Sequence, residues 1–589
     1  MSTSIIDMKV KRVGGSFLIE DHSVAETYTP EDLTPEHLAI KRAAKEFFDK
    51  EVVPNLDAIV AGDRELAVSL VRKGAELGLT AVLVPEEYGG MELDLASSMV
   101  VSEEIGRDGN FGGWIGAHSG IGTLPLLLFG TEAQKKKYLP RLSTAELIGA
   151  YALTEPHCGS DALAAKTRAD LSEDGTHYVL NGTKMWITNG GVADLLTVFA
   201  KVNGEQFSAF LVERAFGGVT SGKEEHKMGI KGSSTTAVYL DNVKVPVENL
   251  LGEIGRGHII AFNILNLGRL KLGPSTLGGA KFVLRTSIAY AKQRKAFGAE
   301  IAKLGMIKHK LAEMAIRIFA TECISFRTEG LISSYLEGFS WAEPDAAKRM
   351  MKAVEEFATE CSMVKVQGSE MLDYVVDEGV QIHGGNGYHQ DYAVERAYRD
   401  SRINRIFEGT SEINRLLATG MMLKRAMAGR LGLVKAVKGL MEEVLAGPSL
   451  AGDTVSEERR LVSNAKKIGL QLLGVAFEKF GAALDKEQEV VAGISDVLME
   501  TFAMESALLR VEKMGSAGAA SDMAAVYLRD GLTRIEGFAR TVLAGCSEGD
   551  ALRTNMAVLR RFAKFEPVNA IALRRSIADR LIASGHYGV

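Results

Sequence analysis

The feature that most constrains this chain is a change of texture that begins at Tyr151 and ends near Gly257. On either side of it, apolar residues recur at helical spacing. Inside it they come as short β-branched or aromatic runs: Tyr178–Leu180, Leu195–Ala200, Ala209–Val212 and Ala237–Leu240. Asp174-Gly175, Asn181-Gly182, Asn189-Gly190-Gly191 and Asn203-Gly204 separate them, and such pairs supply the positive backbone angles that tight hairpins need. The pattern predicts a central antiparallel β-domain of about 100 residues between two helical regions.

Before the switch, Thr34 followed by Pro35 and Glu36 predicts a helix start, with Leu38, Ala43, Phe47 and Phe48 along it. Helical patterns continue over Leu66–Leu77, Asp94–Ile105 and Thr131–Leu139, with Pro85–Gly90 as a loop. After the switch, Ile260, Ile264, Leu267 and Leu270 share one helical stripe, and Leu304, Ile307, Leu311, Met314 and Ile318 another. Stripes of that length fit a four-helix bundle. A chain of 589 residues exceeds what one core supports. The expected class is α+β, mostly α. The expected organisation is an arm (1–29), a helical domain (30–150), the β-domain (151–255), the bundle (256–425), a glycine-rich linker (426–455) and a C-terminal helical domain (456–589). That last part opens on Leu470, Leu473, Val475, Phe477 and Phe480, and Leu552–Phe562 lies near its end.

Several function classes are disfavoured. The 69 basic against 75 acidic residues leave no cationic excess for a general nucleic-acid binder. Cys158, Cys323, Cys361 and Cys546 are far apart, and His118 and His157 show no metal-ligand spacing, so no metal is expected. No Gly-x-Ser-x-Gly elbow marks a hydrolase. The N-terminus mixes acids with bases and resembles no signal or transit peptide, and no apolar run is long enough to span a bilayer. A cytoplasmic location is expected.

The stretch with chemistry in it is Arg402-Ile-Asn-Arg-Ile-Phe-Glu-Gly-Thr-Ser-Glu-Ile-Asn-Arg415. Ile406 and Phe407 can desolvate Glu408, and desolvation raises a carboxylate toward the range of a general base. Gly409 permits a close turn, and Thr410 and Ser411 can cap a following helix. The bland alternative is a surface glutamate favoured by a helix N-terminus. Four further motifs stand out. Tyr151-Ala-Leu-Thr-Glu-Pro-His-Cys-Gly-Ser-Asp161 offers donors to a polar ring or phosphate. Lys184-Met-Trp-Ile-Thr188 offers a flat indole and a hydroxyl. Gln293-Arg-Lys-Ala-Phe-Gly298 offers a guanidinium suited to a diphosphate. Gln381-Ile-His-Gly-Gly-Asn-Gly387 allows close backbone approach, and His383 reads as structural. Alone, each has an ordinary reading: a turn, a core tryptophan, a solvated helix end, a glycine turn.

Taken in order, these motifs resemble the acyl-CoA dehydrogenase family over about residues 35–425. The C-terminal extension and Gly116-Ala-His-Ser-Gly-Ile-Gly122 resemble its very-long-chain branch. The resemblance implies an FAD enzyme that oxidises a fatty acyl-CoA to the trans-2-enoyl-CoA and passes electrons to electron-transfer flavoprotein. It implies Glu408 as the base taking the α-proton. Tyr151, Leu153, Thr154, Ser160, Trp186, Ile187 and Thr188 would contact the flavin or thioester. Arg294, Phe297, Gln381, Gly384 and Gly385 would hold the diphosphate and adenine portion, on the neighbouring subunit's FAD. Thr410 and Glu412 would complete the cofactor site, and Asn266, Arg269, Gly409 and Ser160 would face the substrate. Some relatives carry the base on a bundle helix, at the position of Gly268, which cannot serve here.

Thr154-Glu155-Pro156 favours a dehydrogenase over the family's oxidase branch, while His157-Cys158 departs from the small residues usual after that proline. Lys424, Arg425, Arg430, Lys435 and Lys438, interleaved with Leu431, Val434, Val437, Met441 and Val444, form a basic amphipathic pattern over 424–445 compatible with peripheral membrane contact. A homodimer is expected. The competing readings are an assembly scaffold with little turnover, an oxidase, and a dehydrogenase of branched or aromatic acyl-CoAs.

Overall fold

The structure, a computed structural model, describes residues 12–446, 455–515 and 518–589. The first part of the expected arm and the Pro448-containing part of the expected linker lie outside these residues. Within the N-terminal helical region run α1 (Pro35–Phe47), α2 (Leu56–Val60), α3 (Arg64–Glu76), α4 (Leu95–Ile105), α5 (Gly109–Gly116), α6 (Leu124–Phe129) and α7 (Glu132–Ser143). Thr34, Asp63, Asp94, Asp108 and Thr131 each cap the following helix by accepting a backbone N–H. The buried face of α1 is His37, Ala44 and Phe47, whereas Leu38 is exposed. His37 turns inward because its Nε2 pairs with Asp94 at 2.9 Å, which rotates the expected stripe by one position.

The sheet contains β1 (Gly149–Ala152), β2 (Arg168–Leu171), β3 (His177–Thr188), β4 (Leu195–Val202), β5 (Gln206–Glu213), β6 (Val219–Glu224), β7 (Thr235–Pro246) and β8 (Leu250–Leu251), ordered β6-β7-β3-β2-β4-β5-β8 with β1 beside β4. It is mixed rather than purely antiparallel. Both β1 and β2 run parallel to β4, because the chain crosses over instead of turning back through a hairpin. Asp174-Gly175 and Asn203-Gly204 do close hairpins. Asn181-Gly182 does not: it lies inside β3 at a register shift, where a side chain on Gly182 would run into Thr167.

The bundle is α8 (Gly257–Gln293), α9 (Gly305–Tyr335), α11 (Ala358–His383) and α13 (Ser411–Met427), with α10 (Ala346–Glu356) and α12 (Ala393–Ser401) as shorter connectors. Ile260, Ile264, Leu267 and Leu270 of α8 are buried, as are Leu311, Met314 and Ile318 of α9. After α14 (Leu433–Ala446) come α15 (Glu457–Phe480), α16 (Gln488–Lys513), α17 (Ala519–Cys546), α18 (Gly549–Phe562) and α19 (Ala570–Ser584); α16, α17 and α19 pack on α9, α16 also packs on α13, and α15 and α18 lie against α17. Residues 12–29 are pinned rather than loose. Gly14 and Gly15 donate to Glu356 and Glu360 at 3.0 and 2.7 Å, and Phe17 packs on Phe502 at 4.9 Å. No helix among the described residues is long and apolar enough to cross a membrane.

Candidate active site

The turn that carries Glu408 is held by its carbonyls. Asn414 Nδ2 donates to the oxygens of Glu408, Gly409 and Thr410 at 3.3, 2.8 and 3.0 Å. Arg269 Nε donates to the Glu408 carbonyl at 3.1 Å while its Nη1 binds Asn266 Oδ1 at 2.8 Å. Thr410 caps α13 through the Ile413 N–H, as its place before an apolar run predicts. Gathering three consecutive carbonyls this way drives Glu408 and Gly409 to φ 58° and 79°. For glutamate that region is costly, and such strain persists only where the surroundings enforce it.

The carboxylate then points at α8. A β-carbon built on Gly268 would sit 2.5 Å from Glu408 Oε2 and 2.8 Å from Cδ, so the missing side chain is the space the acid occupies. Glu408 Oε2 is buried and has no hydrogen-bond partner. Burial pushes this acid up to about 7, with Arg269 and Lys365 pulling the other way. Tyr151 closes the same space. Its hydroxyl is also buried without a partner, and burial plus the Glu408 charge hold it protonated.

The loop after Tyr151 is fixed by a buried ion pair. Glu155 accepts from Lys184 Nζ at 2.7 Å, from the N–H groups of Lys166 and Thr167, and from Thr167 Oγ1 at 2.5 Å. Lys184 Nζ also reaches the Leu153 carbonyl, and the Met185 N–H donates to the Thr154 carbonyl at 2.9 Å. The loop is thereby tied to β3 immediately before Trp186. Trp186 is not a core residue: it is 55% exposed, with φ 60°, at a second register shift in β3. That bulge also breaks the simple alternation that would put Trp186 and Thr188 on one face. Ile187 is buried, Thr188 half-buried and Ser160 exposed.

Arg294, Phe297, Gln381, Gly384 and Gly385 form a second group at the far end of α8 and α11. Arg294 lies 26 residues along α8 from Gly268, or roughly 39 Å at helical rise. Phe297 is 94% exposed at φ 52°, and Gln381, Gly384 and Gly385 are exposed. His383 is buried, hydrogen-bonded to the Gly379 carbonyl and stacked on Tyr290, as a structural histidine would be. Glu412 is exposed, and its place in the first turn of α13 together with Thr410 lowers its pKa.

Four residues that sequence reasoning gave no role now have one. Asn414 shapes the turn; Glu155 and Lys184 fix the Tyr151 loop. Lys365 on α11 is buried beside the site, pushed down to about 8 by burial and by Arg269, while Glu370, Glu408 and Glu412 oppose the shift. Asn414, Glu155 and Lys184 sit inside quoted motifs; Lys365 has no local signal.

The residues fit a flat, polar ring: an exposed indole, two buried polar atoms without partners, and an uncharged wall at Gly268. Among the described residues no group of histidine, cysteine or acidic side chains could hold a metal.

The chain matches the acyl-CoA dehydrogenase N-terminal domain over 34–146 and the middle domain over 150–243. Two C-terminal domain families of the same name match over 255–334 with 341–423, and over 464–561. It is 48% identical over 584 residues, 98% of each chain, to a probable acyl-CoA dehydrogenase of Bacillus subtilis. It is 37% identical over 473 residues to the very long-chain specific mitochondrial enzyme of Rattus norvegicus, covering 75% of this chain and 70% of that one. A crystal structure of an acyl-CoA dehydrogenase complexed with FAD from Bacillus anthracis superposes with a TM-score of 0.96 at 47% identity, covering 98% of this chain and 100% of that chain.

Proposed function

The chain belongs to the acyl-CoA dehydrogenase family, and from that premise we propose that it oxidises long-chain fatty acyl-CoA to the trans-2-enoyl-CoA with Glu408 as the base. It is an FAD-dependent oxidoreductase acting on a CH–CH bond. The observation that carries the assignment of the base is the Glu408 carboxylate lodged against Gly268, buried and unpaired at Oε2 and raised to about 7. A carboxylate in that state, with no hydrogen bond to give up at Oε2, removes a proton at neutral pH.

FAD, when bound, would supply the acceptor for the hydride that leaves the β-carbon. Glu408 takes the α-proton onto Oε2, and Arg269 and Asn414 keep the turn from swinging away as charge moves onto substrate. Trp186, Thr188 and the Tyr151–Ser160 loop orient the ring, and Tyr151 excludes water from the carboxylate. Thr410 and Glu412 complete that side. The α-proton is removable only if enolate-like charge on the thioester oxygen is stabilised by hydrogen bonds.

Arg294, Phe297 and the Gln381–Gly385 loop hold the diphosphate and adenine portion of the FAD bound chiefly by the second copy in a homodimer. Their distance from Gly268 and the exposure of Phe297 and Tyr388 support this. The long chain is supported by Gly116 and Gly120, where an added β-carbon would meet nothing within 4 Å. Electron-transfer flavoprotein is the acceptor we assign.

The surface we assign to peripheral membrane contact is α14. Arg425 and Arg430 are committed to Glu356, which leaves Lys424, Lys435 and Lys438 beside exposed Val434, Met441 and Leu445.

The test is anaerobic bleaching of the yellow holoenzyme by hexadecanoyl-CoA. Glu408→Gln should retain FAD and bind acyl-CoA yet lose bleaching. Unchanged bleaching would move the base elsewhere, and a wild type that no acyl-CoA bleaches would leave only a scaffold.

A further inference from the structure

The helix that follows the base is tied at both ends. α13 packs on α11 of the bundle and on α16 of the C-terminal domain. At its far end Arg425 pairs with Glu356 at 2.8 Å. At the near end the tie is Arg415, one residue after Asn414. Its Nη1 and Nη2 donate to the two carboxylate oxygens of Glu370 on α11 at 2.7 and 2.9 Å, and its Nε donates to Asp496 on α16 at 2.7 Å. The backbone is held at the same place. Ser495 Oγ of α16 donates to the Arg415 carbonyl and stands 2.6 Å from Thr419 Oγ1, with Ser495 and Thr419 both buried.

This is more than packing requires. Apolar side chains would hold α13 against α16, but hydrophobic attraction has no direction and lets a helix slide or turn. A guanidinium fork fixes direction as well as distance. What needs fixing lies beside it. Asn414 Nδ2 reaches the carbonyls of Glu408, Gly409 and Thr410 at 3.3, 2.8 and 3.0 Å. The first of these is already long, so a slide of a few tenths of an ångström ends it. Ser411, four residues before Arg415 and therefore on the same face of α13, stands 3.4 Å from Lys365 Nζ on α11. The groups that act on the Glu408 carboxylate are Arg269 on α8, Lys365 on α11 and Tyr151 on β1. All three stand on other elements, so the acid keeps its place among them as long as α13 keeps its own.

We infer that Arg415, gripped by Glu370 and Asp496, is a positioning residue for the α-proton base: through this clamp the C-terminal domain fixes α13, and α13 through Asn414 fixes the turn that aims Glu408. This rests on the acyl-CoA dehydrogenase reading. Asp496 and Ser495 thereby give the C-terminal domain a part in the rate of the reaction from outside the site.

The experiment is anaerobic stopped-flow bleaching of the holoenzyme by hexadecanoyl-CoA over a range of pH. Asp496→Leu should lower the limiting rate by roughly tenfold or more, since about 1 Å of misplacement costs on the order of a hundredfold. Flavin content and the half-saturating acyl-CoA concentration should stay within about twofold of wild type, a loss confined to the transition state. The pH midpoint should move down, because a loosened turn admits water to a carboxylate that burial had raised. Asp496→Asn keeps an acceptor for Nε and should recover most of the rate. If Asp496→Leu sheds its flavin, Ser495→Ala decides, with a smaller loss of rate and the same downward midpoint expected. A clamp that only stabilises the fold would lower the melting temperature and leave limiting rate and midpoint at their wild-type values; that result, or a loss seen only in acyl-CoA affinity, would overturn the inference and leave the dehydrogenase standing. A wild type that no acyl-CoA bleaches would overturn both.

Discussion

Gly268→Ala separates the stability of α8 from the chemistry beside it. In a helix interior, alanine is preferred over glycine by about 1 kcal/mol, so on propensity alone the variant should melt up to about one degree higher in a chain of this size or stay level. The added methyl, however, lands 2.5 Å from Glu408 Oε2, 2.8 Å from Cδ and 3.1 Å from Oε1. Restoring an ordinary contact of 3.4 Å requires the carboxylate to retreat by about 0.9 Å. It cannot retreat by moving the turn, because Arg269 and Asn414 hold the Glu408 carbonyl. The acid must rotate about its own side-chain bonds instead, away from the α-proton. A misplacement of about 1 Å costs on the order of a hundredfold in rate. Stopped-flow bleaching under anaerobic conditions would show that loss in the limiting rate, while calorimetry shows an unchanged or raised melting temperature. A limiting rate within about twofold of wild type in a protein that keeps its flavin would refute the claim that this glycine exists to seat the base.

Flavin reduction should rise with pH and reach half its limit near 7, because the base acts deprotonated and burial raises Glu408 to about 7. Lys365→Met removes a cation that holds Glu408 down, so the same profile should move to higher pH; an unmoved midpoint would remove Lys365 from the site. A carboxyl raised on folding binds more protons folded than unfolded, so stability falls as pH climbs from about 4.5 to 7; Glu408→Gln should then stabilise the apoprotein at neutral pH by up to about 3 kcal/mol in urea titrations. Lys184→Met leaves Glu155 buried and unpaired, and should cost about 3–5 kcal/mol and release flavin, with much of the loss recovered in Lys184→Met/Glu155→Gln. Phe297→Ser with Tyr388→Ser should give a monomer of reduced flavin content by light scattering and absorbance.

Local rules carried much of the architecture and stopped where contacts became distant. Thr34, Asp94 and Thr410 cap the helices their spacing announces, and Asp174-Gly175 and Asn203-Gly204 close the hairpins they predict. Asn181-Gly182 carries the same local signal and fails, because Gly182 is needed small beside Thr167, a contact about fifteen residues away in sequence. The parallel seating of β1 on β4 is likewise set by chain segments that no window spans. For the site, the residue types were legible and their backbone state was not. Trp186, Phe297 and Glu408, three residues singled out by composition and motif, all stand at positive φ. Nothing in Ile-Phe-Glu-Gly announces a left-handed glutamate; in isolation such a sequence avoids it. The conformation exists because Arg269, on a helix about 140 residues earlier, and Asn414, six residues later, converge on one carbonyl. The same convergence explains why Gly268 and Arg269 stand side by side: one supplies the cation that bends the turn, and the other leaves the space into which the bent turn delivers its carboxylate.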